Sequence, residues 1–434
     1  MLVGGEPESW GPVVRRGRPF RTLLRVALGL SVLGVAGGLA FATTAELLVE
    51  QAERNLTRVP VPELEAPVVA SDARHFLVVG SDGREGLDVD ERRELTLGAF
   101  EGQRSDTMIY VSISADRQDV SLVSLPRDLL VVDGGRTTKL TDTYAGGPDQ
   151  LVRAVRQNLG LPVNHYAAIS LGGFIDVVRT LGTVEICLDE PLVDRKAGAD
   201  FLAGCQEFDE IDSLAFVRSR QGDFGDFERI GRQQTFLRAV LSELTRARIL
   251  VNPPRLFQLT EDVASNLTTD DGLETRTMLG LADEMRTVIN DGIPMATVPA
   301  YPRRIDGAEF MIPYPPGAQA MFDDLRAGRP LPDPGTREDR QETVVALYSG
   351  GRVAATEIVR STLAFGGFQA GFAGVGTQLP DAGAATVVYA IDGSEAEAGW
   401  AAATLGVEAT PLPEGVTPPT GTEVVVAVGD DASP

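Results

Sequence analysis

The sequence predicts an α/β protein: a large domain with a largely buried sheet, one membrane helix before it and a smaller α/β tail after it. Three observations carry this. Short apolar runs bounded by turns alternate with helix-period segments across residues 73–327. Val26 to Ala45 reads VALGLSVLGVAGGLAFATTA, 20 residues without a charge. A stretch rich in proline and charge at 328–341 sets residues 342–430 apart.

The predicted order begins with a cytoplasmic N-terminus at 1–21 and a membrane helix at 22–45. The uncharged run is long enough for a hydrocarbon core of ~30 Å. Arg15, Arg16, Arg18, Arg21 and Arg25 precede it, and Glu46, Glu50 and Glu53 follow, an asymmetry that places the bulk outside a cell membrane. Ala40-Phe41-Ala42 resembles a cleavage site, but the run exceeds a signal core of ~7–15 residues, which favours a retained anchor. Residues 46–72 read as a linker, its 57–72 portion as a proline-rich, acidic, extended stalk.

The 434 residues are 43% apolar, enough for two or three cored domains at about 150 residues each. A net charge of -23 excludes a general nucleic-acid binder. Lys139 and Lys196 are the two lysines, and every other base is arginine. Codon bias in a GC-rich genome accounts for that, so composition gives arginine no special role. Cys187 and Cys205 are either a disulfide, worth roughly 3 kcal/mol for a loop of that size, or two buried thiols. Export favours the disulfide, and the spacing fits no zinc pattern.

Within 73–327, strands are predicted at 75–79, 108–113, 120–125, 165–169 and 183–188, and helices at 148–159, 172–181 and 229–247. In the last helix Ile230, Phe236, Leu237, Val240, Leu241 and Leu244 face inward. The charged residues gather at element ends. Asp82 and Arg84 follow the first strand; Arg104, Ser105, Asp106 and Thr107 precede the second; Arg127 and Asp128 follow the third; Lys139 and Asp142 lie in the next loop. Arg218 and Arg220 alternate on a segment read as extended, so both face one way. Asp226, Arg229, Arg232 and Gln233 open the long helix. In open α/β sheets, ligands collect at strand ends. Taken singly, each Arg–Asp pair is a solvated salt bridge more often than a site. Together they fit a divalent cation and a phosphate. His75 and His165 start strands and read as structural. No G-x-S-x-G, Walker loop or H-E-x-x-H occurs, and Leu379 stands where a dinucleotide fingerprint opening at Gly374-Val375-Gly376 needs its third glycine.

The motifs G-S-D-G-R (80–84), R-S-D-T (104–107), S-L-P-R-D (124–128), K-L-T-D-T-Y-A-G-G (139–147), G-T-V-E-I-C-L (182–188), A-F-V-R-S-R (215–220) and D-F-E-R-I-G-R-Q-Q (226–234) occur in this order. They resemble the LytR-CpsA-Psr family over about 75–327. The resemblance implies a three-layer α/β/α domain with a central mixed sheet. It also implies a membrane-anchored phosphotransferase that moves a glycopolymer from a polyprenyl pyrophosphate carrier to peptidoglycan through a phosphodiester. Carried onto this chain, Asp82, Arg104, Asp106 and Arg127 are catalytic, and Asp82 and Asp106 hold Mg²⁺ or Mn²⁺. Arg84, Arg127, Lys139, Arg218, Arg220, Arg229, Arg232 and Gln233 grip the pyrophosphate, with Arg232 facing either site or solvent. The lipid runs in an apolar tunnel between sheet and helices. Residues 85–103 read as a loop at the site mouth. Residues 342–430, after the linker 328–341, resemble the LytR C-terminal domain of actinobacterial members. The implied partners are lipid-linked glycopolymer, peptidoglycan and membrane lipid, without nucleic acid. A pyrophosphate hydrolase and a surface scaffold that binds lipid-linked polymer are the competing functions.

Overall fold

A computed structural model describes residues 46–65 except 48, 72–81, 105–221, 225–245, 253–280 except 276 and 279, 293–374, and 379–433 except 381. The chain forms two compact units, Met1–Gln51 and Ala52–Pro434. The predicted membrane segment 22–45 and the segment 85–103 lie outside the described residues. Among the described residues, no helix is long and apolar enough to cross a membrane.

Within the second unit the strands begin with β1 (Thr57–Val59), β2 (Arg74–Ser81), β3 (Ser105–Ile113) and β4 (Val120–Ser124). A hairpin of β5 (Leu130–Asp133) and β6 (Arg136–Lys139) leads into α1 (Pro148–Leu159), then β7 (His165–Ser170) and α2 (Leu171–Leu181). Next come β8 (Val184–Leu188), β9 (Leu192–Asp194), β10 (Ala199–Phe201), β11 (Gly204–Phe208), α3 (Glu210–Arg218), α4 (Gly225–Thr245) and α5 (Pro253–Asn266). Strands β12 (Leu267–Asp270), β13 (Met295–Thr297), β14 (Ala300–Ile305) and β15 (Ala308–Pro313) precede α6 (Pro315–Arg326) and α7 (Arg337–Glu342). The tail holds β16 (Val344–Tyr348), α8 (Val353–Phe365), β17 (Gln369–Gly374), β18 (Val387–Ala390), α9 (Glu395–Leu405), β19 (Ala409–Pro411) and β20 (Val424–Ala427).

The central sheet is mixed, with seven strands in the order β1-β12-β7-β2-β3-β4-β13. β2 runs parallel to β7 and antiparallel to β3, and β4 runs parallel to β13. These directions bring Ser81, Ser124, Ser170 and Thr297 at strand ends to the same sheet edge as Ser105 at a strand start. Alternation along the strands divides the faces. Leu77, Val79, Met108 and Tyr110 point to one side, where Leu151, Val152 and Val155 of α1 and Phe322 and Leu325 of α6 close the core. Phe76, Val111 and Leu122 point to the other side, with Leu237 and Leu241 of α4 packed against them. The result is helix, sheet and helix in layers. Helix α1 follows from its sequence: Pro148 sits at N1, Gly160 takes the left-handed cap at φ 65°, and Leu151, Val155 and Leu159 recur at helical spacing.

Several predicted boundaries shift. The stalk is not a free tether at its start: Thr57–Val59 is the edge strand β1, parallel to β12, and Val61 is buried in the main core. The alternating Arg58 and Val59 that looked like stalk find a sheet edge to pair with. The linker 328–341 is also packed. Leu331 joins the main core, Thr336 caps α7 with a capping box, and buried Arg340 donates to the carbonyls of Pro334, Gly335 and Gly366. Ser105 to Thr107 lie inside β3 rather than before it. The predicted strand 183–188 pairs only with β11, outside the central sheet, and Cys187 faces Cys205 across that pair in a disulfide. The tail forms its own five-stranded sheet, in the order β17-β16-β20-β18-β19, with its own apolar core.

Candidate functional site

A cavity of about 1000 Å³ opens between the second face of the central sheet and helices α2, α3 and α4. Its floor is Val78 and Ile109 of the sheet, with Ile169 at the end of β7. Its walls are Phe174, Val177 and Val178 of α2, Leu214 and Val217 of α3, and Phe236, Leu237 and Val240 of α4. Towards the sheet edge the lining turns polar, through Gly80, Ser81, Thr107 and Ser170. Ser170 accepts from Gly173 N at 3.1 Å and caps α2, so the positive end of that helix dipole reaches the polar end. Gly80 packs closely there: a Cβ would stand 3.1 Å from Thr107 Cβ, which would have to give by a few tenths of an ångström, and the β2–β3 register shifts beside it.

Arg218, Arg220, Arg229 and Gln233 all line this cavity. The structure brings them together from two elements. Arg218 ends α3 rather than an extended segment, because Asp209 caps that helix by accepting from the amides of Ile211 and Asp212. The chain then turns at Ser219 and presents Arg220. Arg229, 2% exposed, and Gln233 stand one turn apart on α4. The sequence reading missed the turn 194–197, which adds Asp194, Arg195 and Lys196 to the wall. Among the described lining residues, the cations Arg195, Lys196, Arg218, Arg220 and Arg229 face one carboxylate, Asp194. That local balance is opposite to the chain's net charge of -23. The turn gave no signal in sequence because its relation to Arg220 is made only by folding.

Asp194 is a hub. Its Oδ1 accepts from the amides of Lys196 and Ala197 at 3.0 and 3.3 Å, and its Oδ2 from Arg220 N at 2.9 Å and the Ser219 hydroxyl at 3.2 Å. Burial pushes this carboxyl up, but the donors from Arg220, Ala197, Lys196 and Ser219 outweigh it and hold the group below the usual carboxylate range.

Arg232 departs from its expected role. Its guanidinium, 6% exposed, turns away from the cavity and donates to Ser219 O from Nε at 3.2 Å and Nη2 at 2.9 Å, and to Gln221 O at 3.1 Å. Burial draws its pKa down to about 10, with Asp194 opposing. Position on the helix decides this: Arg229 and Gln233 share a face, and Arg232 lies off it.

Arg127 and Lys139 stand apart from the cavity wall and converge on Asp128, with Lys139 Nζ 2.9 Å from one oxygen and Arg127 Nε 3.7 Å from the other. The group still adjoins the polar edge, since Thr141 donates to Ser105 O at 2.8 Å and its amide bonds Arg127 O at 2.9 Å. Asp82, Arg84 and Arg104 lie outside the described residues, as do the side chains of Asp106 and Asp226. The backbone of Asp106 follows Ser105, the register partner of Ser81, and Asp82 is the next residue after Ser81. Among the described residues, no three metal-ligating side chains cluster. His75 is buried and stacked on Tyr110, and His165 Nδ1 is 3.3 Å from Asp270 Oδ2.

A mixed-sheet α/β body holding a cavity that is apolar along its length and arginine-rich at one end has the makeup of a receptor for a molecule with an apolar body and an anionic head. Residues 40–327 match the LytR_cpsA_psr family, and the chain belongs to that family. The match stops before the tail sheet. Among curated proteins, the chain is 34% identical over 298 residues to "Probable cell wall biosynthesis protein LcpB" of Corynebacterium glutamicum, covering 67% of this chain and 70% of that one. It is 27% identical over 270 residues to "Polyisoprenyl-teichoic acid--peptidoglycan teichoic acid transferase TagU" of Bacillus subtilis, covering 59% and 81%. Among solved structures, "LytR-Csp2A-Psr enzyme from Actinomyces oris" matches with a TM-score of 0.51 and 25% identity, over 63% of this chain and 96% of that one.

Proposed function

We propose that this protein is a cell-wall glycopolymer transferase, which takes its cargo from a polyprenyl pyrophosphate carrier and joins it to peptidoglycan. The observation that carries the reading is the cavity: an apolar channel for a lipid, ending at Arg218, Arg220, Arg229 and Gln233. A polyprenyl pyrophosphate needs both ends of such a site. Family membership and the names of the relatives, a cell-wall biosynthesis protein and a teichoic acid transferase, support the same reading.

The chemistry is a phosphoryl transfer. A peptidoglycan hydroxyl attacks the cargo-side phosphorus, the bond to the bridging oxygen breaks, polyprenyl phosphate leaves with that oxygen, and the hydroxyl proton passes to water. Charge spreads over the phosphoryl oxygens in the transition state, so fixed cations contribute more than any covalent nucleophile. One arginine at 4 Å from a phosphate charge is worth about 4 kcal/mol at an effective dielectric of 20. Asp82 and Asp106 are the proposed donors for Mg²⁺ or Mn²⁺, which when bound would neutralise pyrophosphate charge. Arg84, Arg104, Arg127 and Lys139 complete the proposed anion site. The proposed setting is a cell membrane, with residues 22–45 as the anchor and the rest outside. The Cys187–Cys205 disulfide fits an oxidising exterior. Residues 342–430 are proposed as a LytR C-terminal domain.

Full-length protein incubated with Mg²⁺, lipid-linked polymer and peptidoglycan tests the reading. A covalent polymer–glycan product supports transfer. Free phosphorylated polymer would mean a hydrolase, and binding without product a scaffold.

A further inference from the structure

We infer that Asp194 and Arg232 form a two-sided clamp on the backbone of residues 219–221, which sets where Arg220 stands in the cavity. The inference rests on the cavity being a pyrophosphate-lipid site, and makes both clamp groups positioning residues that act through Arg220.

The geometry is specific to that segment. Asp194 Oδ2 takes the Arg220 amide at 2.9 Å and the Ser219 hydroxyl at 3.2 Å, so it holds the donors of the turn. Arg232 takes the acceptors of the same turn, donating to Ser219 O and Gln221 O at 2.9 and 3.1 Å. Ser219 between them is fully buried, while Arg220 is exposed. The backbone is therefore held from both sides and only the side chain projects. The second oxygen of Asp194 is committed to Lys196 N and Ala197 N at 3.0 and 3.3 Å. One carboxylate thus ties the turn bearing Arg195 and Lys196 to the turn bearing Arg220. Each oxygen faces at least one backbone N–H, those of Lys196 and Ala197 on one side and that of Arg220 on the other, so an amide there would turn its NH₂ against a backbone N–H and lose one turn or the other. Arg232 is charge-matched by Asp194 and by Glu228, whose carboxylate is 3.9 Å away. An arginine on a loose turn loses backbone as well as side-chain freedom on gripping phosphate; on a fixed backbone only the side-chain part is lost, which is how the clamp raises affinity.

The test is farnesyl pyrophosphate binding by calorimetry on the full chain in detergent, with melting temperature read in parallel. Asp194→Asn and Arg232→Lys each weaken binding roughly tenfold, as loss of a charge-assisted hydrogen bond predicts. In an Arg220→Ala background the same two substitutions change binding by less than about twofold, while their effect on melting temperature persists. Equal losses with and without Arg220 would mean that the two residues only hold the fold, and would overturn the clamp. Binding insensitive to both substitutions would overturn the clamp and leave the site standing. No binding by the unsubstituted protein would overturn the site reading and the clamp with it.

Discussion

The two sheets of this chain solve the same packing problem differently. In the tail, helices α8 and α9 lie on their sheet through Val359, Leu363, Ala398, Ala401 and Leu405, each fully buried. In the larger domain, α1 and α6 close one face of the central sheet as tightly, but the helices over the other face leave about 1000 Å³ between themselves and the strands. Small alanines let α9 approach its sheet closely. On α2 and α4, Phe174 and Phe236 meet each other at 5.0 Å, and both line the opening. The cations collect at the layer that is held open. The candidate site lies where the helix layer and the sheet stay apart, not where they close. The two regions are nonetheless joined closely: at Gly406, φ 70°, a Cβ would stand 2.5 Å from Pro316 O at the start of α6.

Substitutions in the open and the closed layers should have opposite effects. Arg220→Ala removes an exposed cation from the open layer, so transfer should fall by about 10²–10³-fold, as for loss of one transition-state donor. A matched thermal melt should leave the midpoint nearly unmoved, and a large drop would make Arg220 structural. Leu363→Ala makes the opposite change, opening a hole in the closed layer. It should destabilise the protein by about 3 kcal/mol in denaturant titration while activity per folded molecule holds. Transfer lost in step with Leu363 would mean that the tail takes part in the reaction.

A third test is pH. Burial pushes His75 down to about 4 from 6.5, and its Nδ1 has no hydrogen-bond partner among the described residues. The unfolded chain therefore takes up this proton first. The contribution is whole above pH 6.5 and is lost as pH falls towards 4, by at most roughly 3 kcal/mol. His75→Phe should flatten that part of the stability profile in denaturation series between pH 4 and 7; an unchanged slope would place the titration elsewhere. The smallest effect belongs to Val177→Trp, which fills the apolar end of the cavity. It should raise KM for a long-chain carrier roughly tenfold and for a short-chain analogue less. Equal effects on both would mean that the lipid does not run past α2.

Much of this was legible in the sequence because the signals are local. Helix α1 announces itself by Pro148, Gly160 and a helical apolar period, and the run HFLVV is a buried strand on composition alone. Arg218, Arg220, Arg229 and Gln233 stand in two motifs, and all four line the cavity. Where local signals gave out, the reading slipped. The segment VRSR alternates like a strand, but Asp209 eight residues before Val217 had already started a helix. Residues 57–59 look like tether, because the partner that makes them a strand is Thr268, more than two hundred residues on.

The α/β class and the motif cations Arg218, Arg220 and Arg229 could be read from the chain alone, since periodicity, turn residues and motif order are properties of neighbours along it. Only the tertiary structure decided which cations share a wall. It set Arg232 against carbonyls instead of towards the cavity, gathered Arg127 and Lys139 around Asp128, and brought Asp194 to the amide of Arg220 across 26 residues. Those choices are made by which helix face meets the sheet and by which buried polar groups must be satisfied, and both exist only once distant segments have packed.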